Sequence, residues 1–185
     1  EFERNKLRQR LEAMANVHIA ERVGLSNVPS DAQKRMAAAL EDDQEWNDLA
    51  NSQWFTNSQK RADDACYFHW KLEYPEVFYD KDGSHKENQG FDAIIGNPPY
   101  VDFKTLPQKQ TDLIEPLHST CSGKFDLYIP FMEDATDLSS RMVSFIVPSM
   151  FMKRDYGRAL RQYLIDNTSL RTLLDFQHLQ IFGDA

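Results

Sequence analysis

Glycine is scarce in this sequence, with 7 in 185 residues, and no two of them stand one residue apart. A GxG turn is therefore absent, and with it that kind of backbone cradle for a ligand. Cysteine is scarcer still: Cys66 and Cys121 are far apart and outside any CxxC spacing. They read as ordinary thiols, which excludes a disulfide framework and a cysteine zinc site. The five histidines are scattered, none at helical ligand spacing, so no metal site is expected. No apolar run approaches the roughly 20 residues needed to cross a bilayer. A basic-then-apolar leader is missing too, and the expectation is a cytoplasmic protein with no membrane partner.

Positive charge is also in short supply. The chain holds 21 Lys and Arg against 29 Asp and Glu, a net charge of −8. Residues 1–96 carry 12 basic and 18 acidic side chains (−6), while residues 97–185 carry 9 and 11 (−2). Strong neutralisation of a polyanion by this chain alone is disfavoured. What is present is enough to fold: 41% of residues are hydrophobic and 12% aromatic. The length suits one good core or a core with a helical appendage. Both ends, Glu1 and Ala185, are expected to be cut ends of a longer polypeptide.

The first 65 residues predict helices. Leu7, Leu11, Met14 and Val17 share one helical face. Ser30 and Asp31, after Pro29, can start a second helix with Met36, Leu40, Trp46 and Leu49 as its apolar positions. The charged stretch Glu41 to Asp48 reads as a solvated face. From Cys66 the texture changes. Tyr67, Phe68, Trp70, Tyr74, Val77, Phe78 and Tyr79 form an aromatic segment, read as packing, before a polar loop around Asp82 to Gly90. The expected divide is thus 1–65 for the helical segment and 66–185 for a second domain.

Phe91 to Gly96 predicts a short buried-type strand. A helix is expected after Asp126, with Leu127, Phe131, Ala135 and Leu138 inward. Met142 to Val147 predicts a second strand ended by Pro148. Tyr156 to Asn167 predicts another helix, and Leu170 to Phe176 a third strand. This alternation is the rhythm of an α/β sheet with parallel neighbours.

Asn97-Pro98-Pro99-Tyr100 directly follows the first strand, where ligands bind in open α/β sheets. The residue types suit chemistry at an exocyclic amino group, whose lone pair is delocalised into its ring. Two acceptors, the Asn97 side-chain carbonyl and the Pro98 backbone carbonyl, can each take one N–H and draw the nitrogen towards tetrahedral geometry. Pro99 keeps Pro98 extended and removes a competing donor. Tyr100 offers a face on which an extruded base can stack, worth roughly 1–3 kcal/mol.

Phe91 to Tyr100 resembles motif IV of the amino-group methyltransferases of DNA. The later pieces are similar to the gamma-type adenine-N6 enzymes and to the methyltransferase part of type IIG restriction–modification proteins. Phe68-His69-Trp70 and Tyr74-Pro75-Glu76-Val77-Phe78 resemble the segment just upstream in those proteins. Gly123-Lys124-Phe125-Asp126-Leu127-Tyr128 resembles the region after motif IV, Phe145 to Ser149 the next strand, and Gln180-Ile181-Phe182 the aromatic motif VIII. The resemblance covers about residues 66–185.

It implies a partial Rossmann-like methyltransferase sheet, represented by its later strands. It also implies S-adenosylmethionine as methyl donor, double-stranded DNA as partner, and base flipping of a target adenine. Carried over by position, Asn97 and Pro98 bind the amino group, Tyr100 stacks on the base, and Phe182 presses on it from another side. Pro99 and Phe131 match positions beside the cofactor. The chain departs from the family in lacking the FxGxG-like cofactor loop upstream of motif IV. The remainder of the polypeptide is then expected to supply the cofactor-binding and target-recognition parts.

Several residues admit plainer readings. Lys153 and Arg154 can touch DNA phosphate or form an ordinary solvated loop pair. His69, His118 and His178 read as surface or packing residues. The same Asn-Pro-Pro-Tyr chemistry serves enzymes that methylate RNA or protein glutamine, and a catalytically inactive DNA-binding relative is a further alternative. A peptide-ligand role for Asn-Pro-x-Tyr fits poorly, because such ligands sit on flexible tails.

Overall fold

The protein, seen in a computed structural model, is described for residues 2–177. It divides into two compact units, Glu1–Gln89 and Gly90–Ala185. The sequence pattern put the divide at 65/66 instead. The difference arises because the aromatic segment packs with the helices before it: Arg8 donates to Glu73 at 2.6 Å, and His69 Nε2 lies 2.6 Å from Asn16 Oδ1.

The first unit is helical. α1 (Phe2–Arg22) lies along α4 (Gln53–Ala65), with α2 (Ala32–Ala38) and α3 (Asp43–Ala50) completing a core. That core is Val17, Ala32, Met36, Ala39, Trp46, Leu49 and Phe55, with Met14 and Leu40 packed against it; of the apolar positions read from periodicity, Leu7 instead stays 40% exposed. The expected single helix from Ser30 is in fact two. Asp42 accepts a hydrogen bond from the Glu45 N–H at 2.9 Å and so caps a new helix start. Nor is the charged stretch only a solvated face. Arg10, 6% exposed, donates to Leu40 O at 2.7 Å and to Asp43 Oδ1 at 2.5 Å, with its guanidinium 5.0 Å from the Trp46 ring. Hydrogen bonds from Lys6 and Arg10 hold the Asp43 carboxyl below its ordinary range. Two short helices, α5 (Trp70–Glu73) and α6 (Pro75–Phe78), follow, and Tyr79 bridges His85.

The second unit holds a two-stranded parallel sheet. β1 (Phe91–Gly96) pairs with β2 (Ser139–Phe145), Ala93 opposite Met142 and Gly96 opposite Phe145. Parallel pairing demands a long crossover, supplied here by α7 (Gln108–Ile114) and α8 (Tyr128–Leu138). α9 (Arg158–Asn167) follows β2, and the core is Cys121, Phe125, Tyr128, Ile129, Phe151 and Leu160.

Three expectations change here. Phe131 does not face inward; it is 45% exposed, and Tyr128, Ile129, Pro130, Glu133 and Ala135 are the buried residues of α8. β2 starts at Ser139 and ends at Phe145, earlier than its apolar run suggests. The third strand, Leu170 to Phe176, does not form. A strand exists only where a neighbour takes its backbone hydrogen bonds, and none of the described residues does so. Leu170 is accordingly 70% exposed. Both faces of a parallel sheet are normally covered, yet Ile95 in β1 is 82% exposed. Among the described residues, no helix is long and apolar enough to cross a membrane.

Candidate target-base site

β1 and β2 run parallel, so their carboxyl ends lie at one edge of the sheet, and the loops leaving them emerge side by side. The pairing continues past β2, where the Ile146 N–H donates to Gly96 O at 3.2 Å. Gly96 lets the Phe145 ring lie close, since a Cβ there would sit 2.9 Å from it and the ring would have to shift. Chain direction then changes at Asn97 to Tyr100. Pro98 is buried and anchors the loop, while Asn97, Pro99 and Tyr100 are exposed. None of the described residues hydrogen-bonds with the Asn97 side chain, which leaves its carbonyl available to a ligand.

Tyr100 is fixed at its far end. Its hydroxyl donates to Ile146 O at 3.0 Å, and partial burial pushes its pKa above the ordinary value. The ring itself remains 48% exposed. With its hydroxyl tethered and its ring open, Tyr100 has little rotamer freedom left to lose on contact with a ligand. The next residue is held as well, because the Leu127 N–H donates to Val101 O at 2.9 Å. Asp102 then accepts from the Lys104 N–H at 2.8 Å, and the Phe103 ring lies 5.5 Å from that of Phe125 in the core.

At the carboxyl end of β2, Pro148 leads into two short 3-10 turns, Ser149–Met152 and Asp155–Gly157. Lys153 and Arg154 are exposed between them. Both sequence-read features thus follow a strand's carboxyl end, the Asn97–Tyr100 loop directly after β1 and the Lys153–Arg154 pair beyond the Pro148 turn after β2. Phe131, on α8, presents an exposed ring. Phe182 lies outside the described residues, as does His178.

The sequence reading missed several polar ties of the second unit. Glu133, 6% exposed, accepts from the Ser119 and Thr120 N–H groups at 2.8 Å each, from Ser119 Oγ at 2.8 Å and from Thr120 Oγ1 at 2.5 Å. Burial alone would raise its pKa, but the Thr120 and Ser119 donors outweigh that and lower it. His118 is no free surface histidine. Its Nδ1 lies 2.9 Å from Ile114 O and its Nε2 3.0 Å from Asp134 Oδ1. Tyr156 donates to Asp126 Oδ2 at 2.8 Å and lies 3.1 Å from the Tyr128 hydroxyl. An acidic residue on an otherwise apolar helix face, Glu133 between Ile129 and Ala135, is the one signal that could have revealed the first of these.

The cofactor implied by the motifs meets only part of what it needs here. Pro99 and Phe131, the two residues matched to cofactor-side positions, are both exposed. The sequence has no GxG turn to cradle the methionine end.

The family model described as Eco57I restriction-modification methylase matches residues 8–182, so the match extends through the helical segment that the motif resemblance left out. RM.Eco57I, a type II restriction enzyme and methyltransferase of Escherichia coli, is 33% identical over 100 residues, covering 51% of this chain and 10% of that protein. The type II methyltransferase M.BstVI of Geobacillus stearothermophilus is 30% identical over 94 residues, 50% of this chain and 17% of that protein. The adenine-specific methyltransferase PglX of Streptomyces coelicolor is 32% identical over 79 residues, 38% of this chain and 6% of that protein. The chain thus spans less than a fifth of the length of these relatives, and on the family match it belongs to the Eco57I restriction-modification methylases.

Proposed function

We propose that this chain forms the target-base pocket of a DNA adenine-N6 methyltransferase of a restriction–modification or related defence system. The observation that carries the reading is the Asn97–Tyr100 loop. It offers a free side-chain carbonyl, a rigid proline pair and a tethered, half-exposed aromatic ring at the carboxyl edge of a parallel sheet. A flipped adenine stacks on Tyr100, with Phe182 on another side. Its amino group donates one hydrogen to the Asn97 side chain and one to the Pro98 carbonyl. Both bonds strengthen as the nitrogen becomes tetrahedral, which is where catalysis profits. No general base is required before methyl transfer, because the proton can leave afterwards.

S-adenosylmethionine, when bound, supplies the methyl group, with Pro99 and Phe131 beside its adenosine. The rest of its site, and target recognition, come from other parts of a longer polypeptide. The open sheet supports that division: Ile95, Met142 and Val143 are exposed on strands of the kind that normally lie buried in a Rossmann-like sheet. Lys153 and Arg154 contact the DNA backbone near the flipped nucleotide, a limited contribution in keeping with the acidic balance of the chain.

The test uses the full-length polypeptide that carries this sequence, labelled S-adenosylmethionine and mixed-sequence duplex DNA, followed by digestion to nucleosides. Label is expected in N6-methyladenine and is expected to vanish in Asn97→Ala. Label in cytosine, RNA or protein would move the substrate while leaving the amino-group chemistry in place. A complete lack of label would favour an inactive DNA-binding relative. In calorimetry, the isolated chain is expected to bind the cofactor weakly or not at all; micromolar affinity would overturn the proposed division of the site.

A further inference from the structure

We infer that Tyr156, acting through Asp126, is a positioning residue for the target-base pocket. The inference rests on the amino-methyltransfer reading above and adds to it a residue outside the Asn97–Tyr100 loop. It starts from a physical problem. A loop that must hold two carbonyls and a ring in register with a bound base needs support from beneath, since a displacement of about 1 Å can cost on the order of a hundredfold in rate.

One hydrogen bond holds the loop itself, a second holds the residue after it, and a third holds the segment that makes the second. Tyr100 is tied to the end of β2 through Ile146 O. Val101 is tied to the start of α8 through the Leu127 N–H. The residue before Leu127 is Asp126, and its carboxylate is held at 2.8 Å by the Tyr156 hydroxyl from the turn before α9. A carboxylate can only accept, so Tyr156 donates to Asp126 and is left to accept from the buried Tyr128 hydroxyl at 3.1 Å. The tie therefore closes a ring: loop after β1, α8 start, turn before α9, end of β2, and back to Tyr100.

The turn that carries Tyr156 is itself stiff. Arg161 on α9 donates to Phe151 O at 2.5 Å and to Arg154 O at 3.0 Å. Gly157 approaches so closely that a Cβ there would meet Phe151 O at 2.1 Å. The backbone that carries the hydroxyl is thereby held in place. The Tyr156 ring also packs against the core, but packing alone would be served equally by phenylalanine. The hydroxyl is what the inference concerns.

The test uses the full-length polypeptide and a duplex containing the adenine that the unaltered protein methylates, with a second duplex carrying 2-aminopurine at that position. Tyr156→Phe keeps the ring and removes the tie. It is expected to slow methyl transfer about ten- to hundredfold and to shrink the 2-aminopurine fluorescence rise, with cofactor affinity unchanged. Asp126→Ala should behave alike, whereas Asp126→Asn, which keeps an acceptor oxygen, should restore most of the rate. Unaltered rate and fluorescence in Tyr156→Phe would overturn the inference and leave the functional reading intact. So would a parallel loss of rate, cofactor affinity and thermal stability, which marks a merely structural hydroxyl. If the unaltered protein forms no N6-methyladenine, the functional reading fails first and the inference falls with it.

Discussion

The two units solve the burial problem differently. Residues 1–89 bring their apolar helix stripes together locally, and Val17, Met36, Trp46, Leu49 and Phe55 close a core within one stretch of chain. Residues 90–185 also have a core, beneath α8 and α9, but leave Ile95, Met142, Leu170 and Leu174 in solvent. The contrast follows from the elements. An amphipathic helix satisfies its backbone internally and needs only one neighbour for its stripe. A parallel sheet, by contrast, normally needs cover on both faces. The helical unit accordingly covers its stripes, while the two-stranded sheet of the second unit keeps apolar side chains exposed.

The comparison can be broken most forcefully at Glu133. Glu133→Ala leaves four donors of the Ser119–Thr120 turn without their acceptor in a buried place, and a loss of about 3 kcal/mol or more is expected in the second unit. Trp46, Trp54 and Trp70 all lie in the first unit. Tryptophan emission should then report an unchanged helical core while hydrogen exchange at residues 119 and 120 rises sharply. A shift of the tryptophan transition by the same amount would show that the two units unfold as one.

Histidine titration sharpens the same comparison. Burial holds His69 of the first unit below its ordinary pKa, against the pull of Glu12 and Glu73. Protonation then favours the unfolded chain, and its contribution is complete above about pH 6.5 and lost as pH falls below it. His118 of the second unit is raised: burial opposes the charge, but Asp134 and the Ile114 carbonyl outweigh it. Its contribution is full below about pH 6.5 and lost as pH rises through the raised value. The depressed Glu133 adds a further loss at low pH, once the solution falls through its lowered pKa. Ring-proton NMR should resolve the two histidines on opposite sides of the free value; a common midpoint would contradict both environments.

Smaller effects are expected at two single sites. Cys66 ends α4 in a left-handed conformation (φ 51°) with its side chain exposed. Cys66→Gly should stabilise the first unit by roughly 0.5–1 kcal/mol, measured by tryptophan emission in urea, because glycine takes that backbone without steric strain. Ile95→Thr should change the stability of this chain by less than about 0.5 kcal/mol, since the side chain is already 82% exposed. The same substitution in the full-length polypeptide is expected to cost more, and equal costs in both would argue against strands docking at this sheet.

Much of the first unit was legible from period, since Met14 and Val17, Met36 and Leu40, and Trp46 and Leu49 are each spaced three or four apart and all belong to the core or pack against it. The break at Asp42 was less legible because a cap depends on one side chain meeting one N–H. In the second unit, strands at Phe91 and near Met142 were readable, but the third apolar run was misread. Pattern records a preference for burial, whereas a strand also requires a partner to take its hydrogen bonds.

What the sequence by itself determined is the chemistry available: the residue types at Asn97–Tyr100, the acidic balance, the missing GxG turn and the helical period of the first 65 residues. Tertiary structure alone decided which groups meet. It brought Tyr100 to the Ile146 carbonyl 46 residues away, Tyr156 to Asp126, and four donors to Glu133. Local preference acts within a few residues along the chain, while hydrogen bonds between distant loops exist only after parallel pairing of β1 and β2 has carried those loops to one edge.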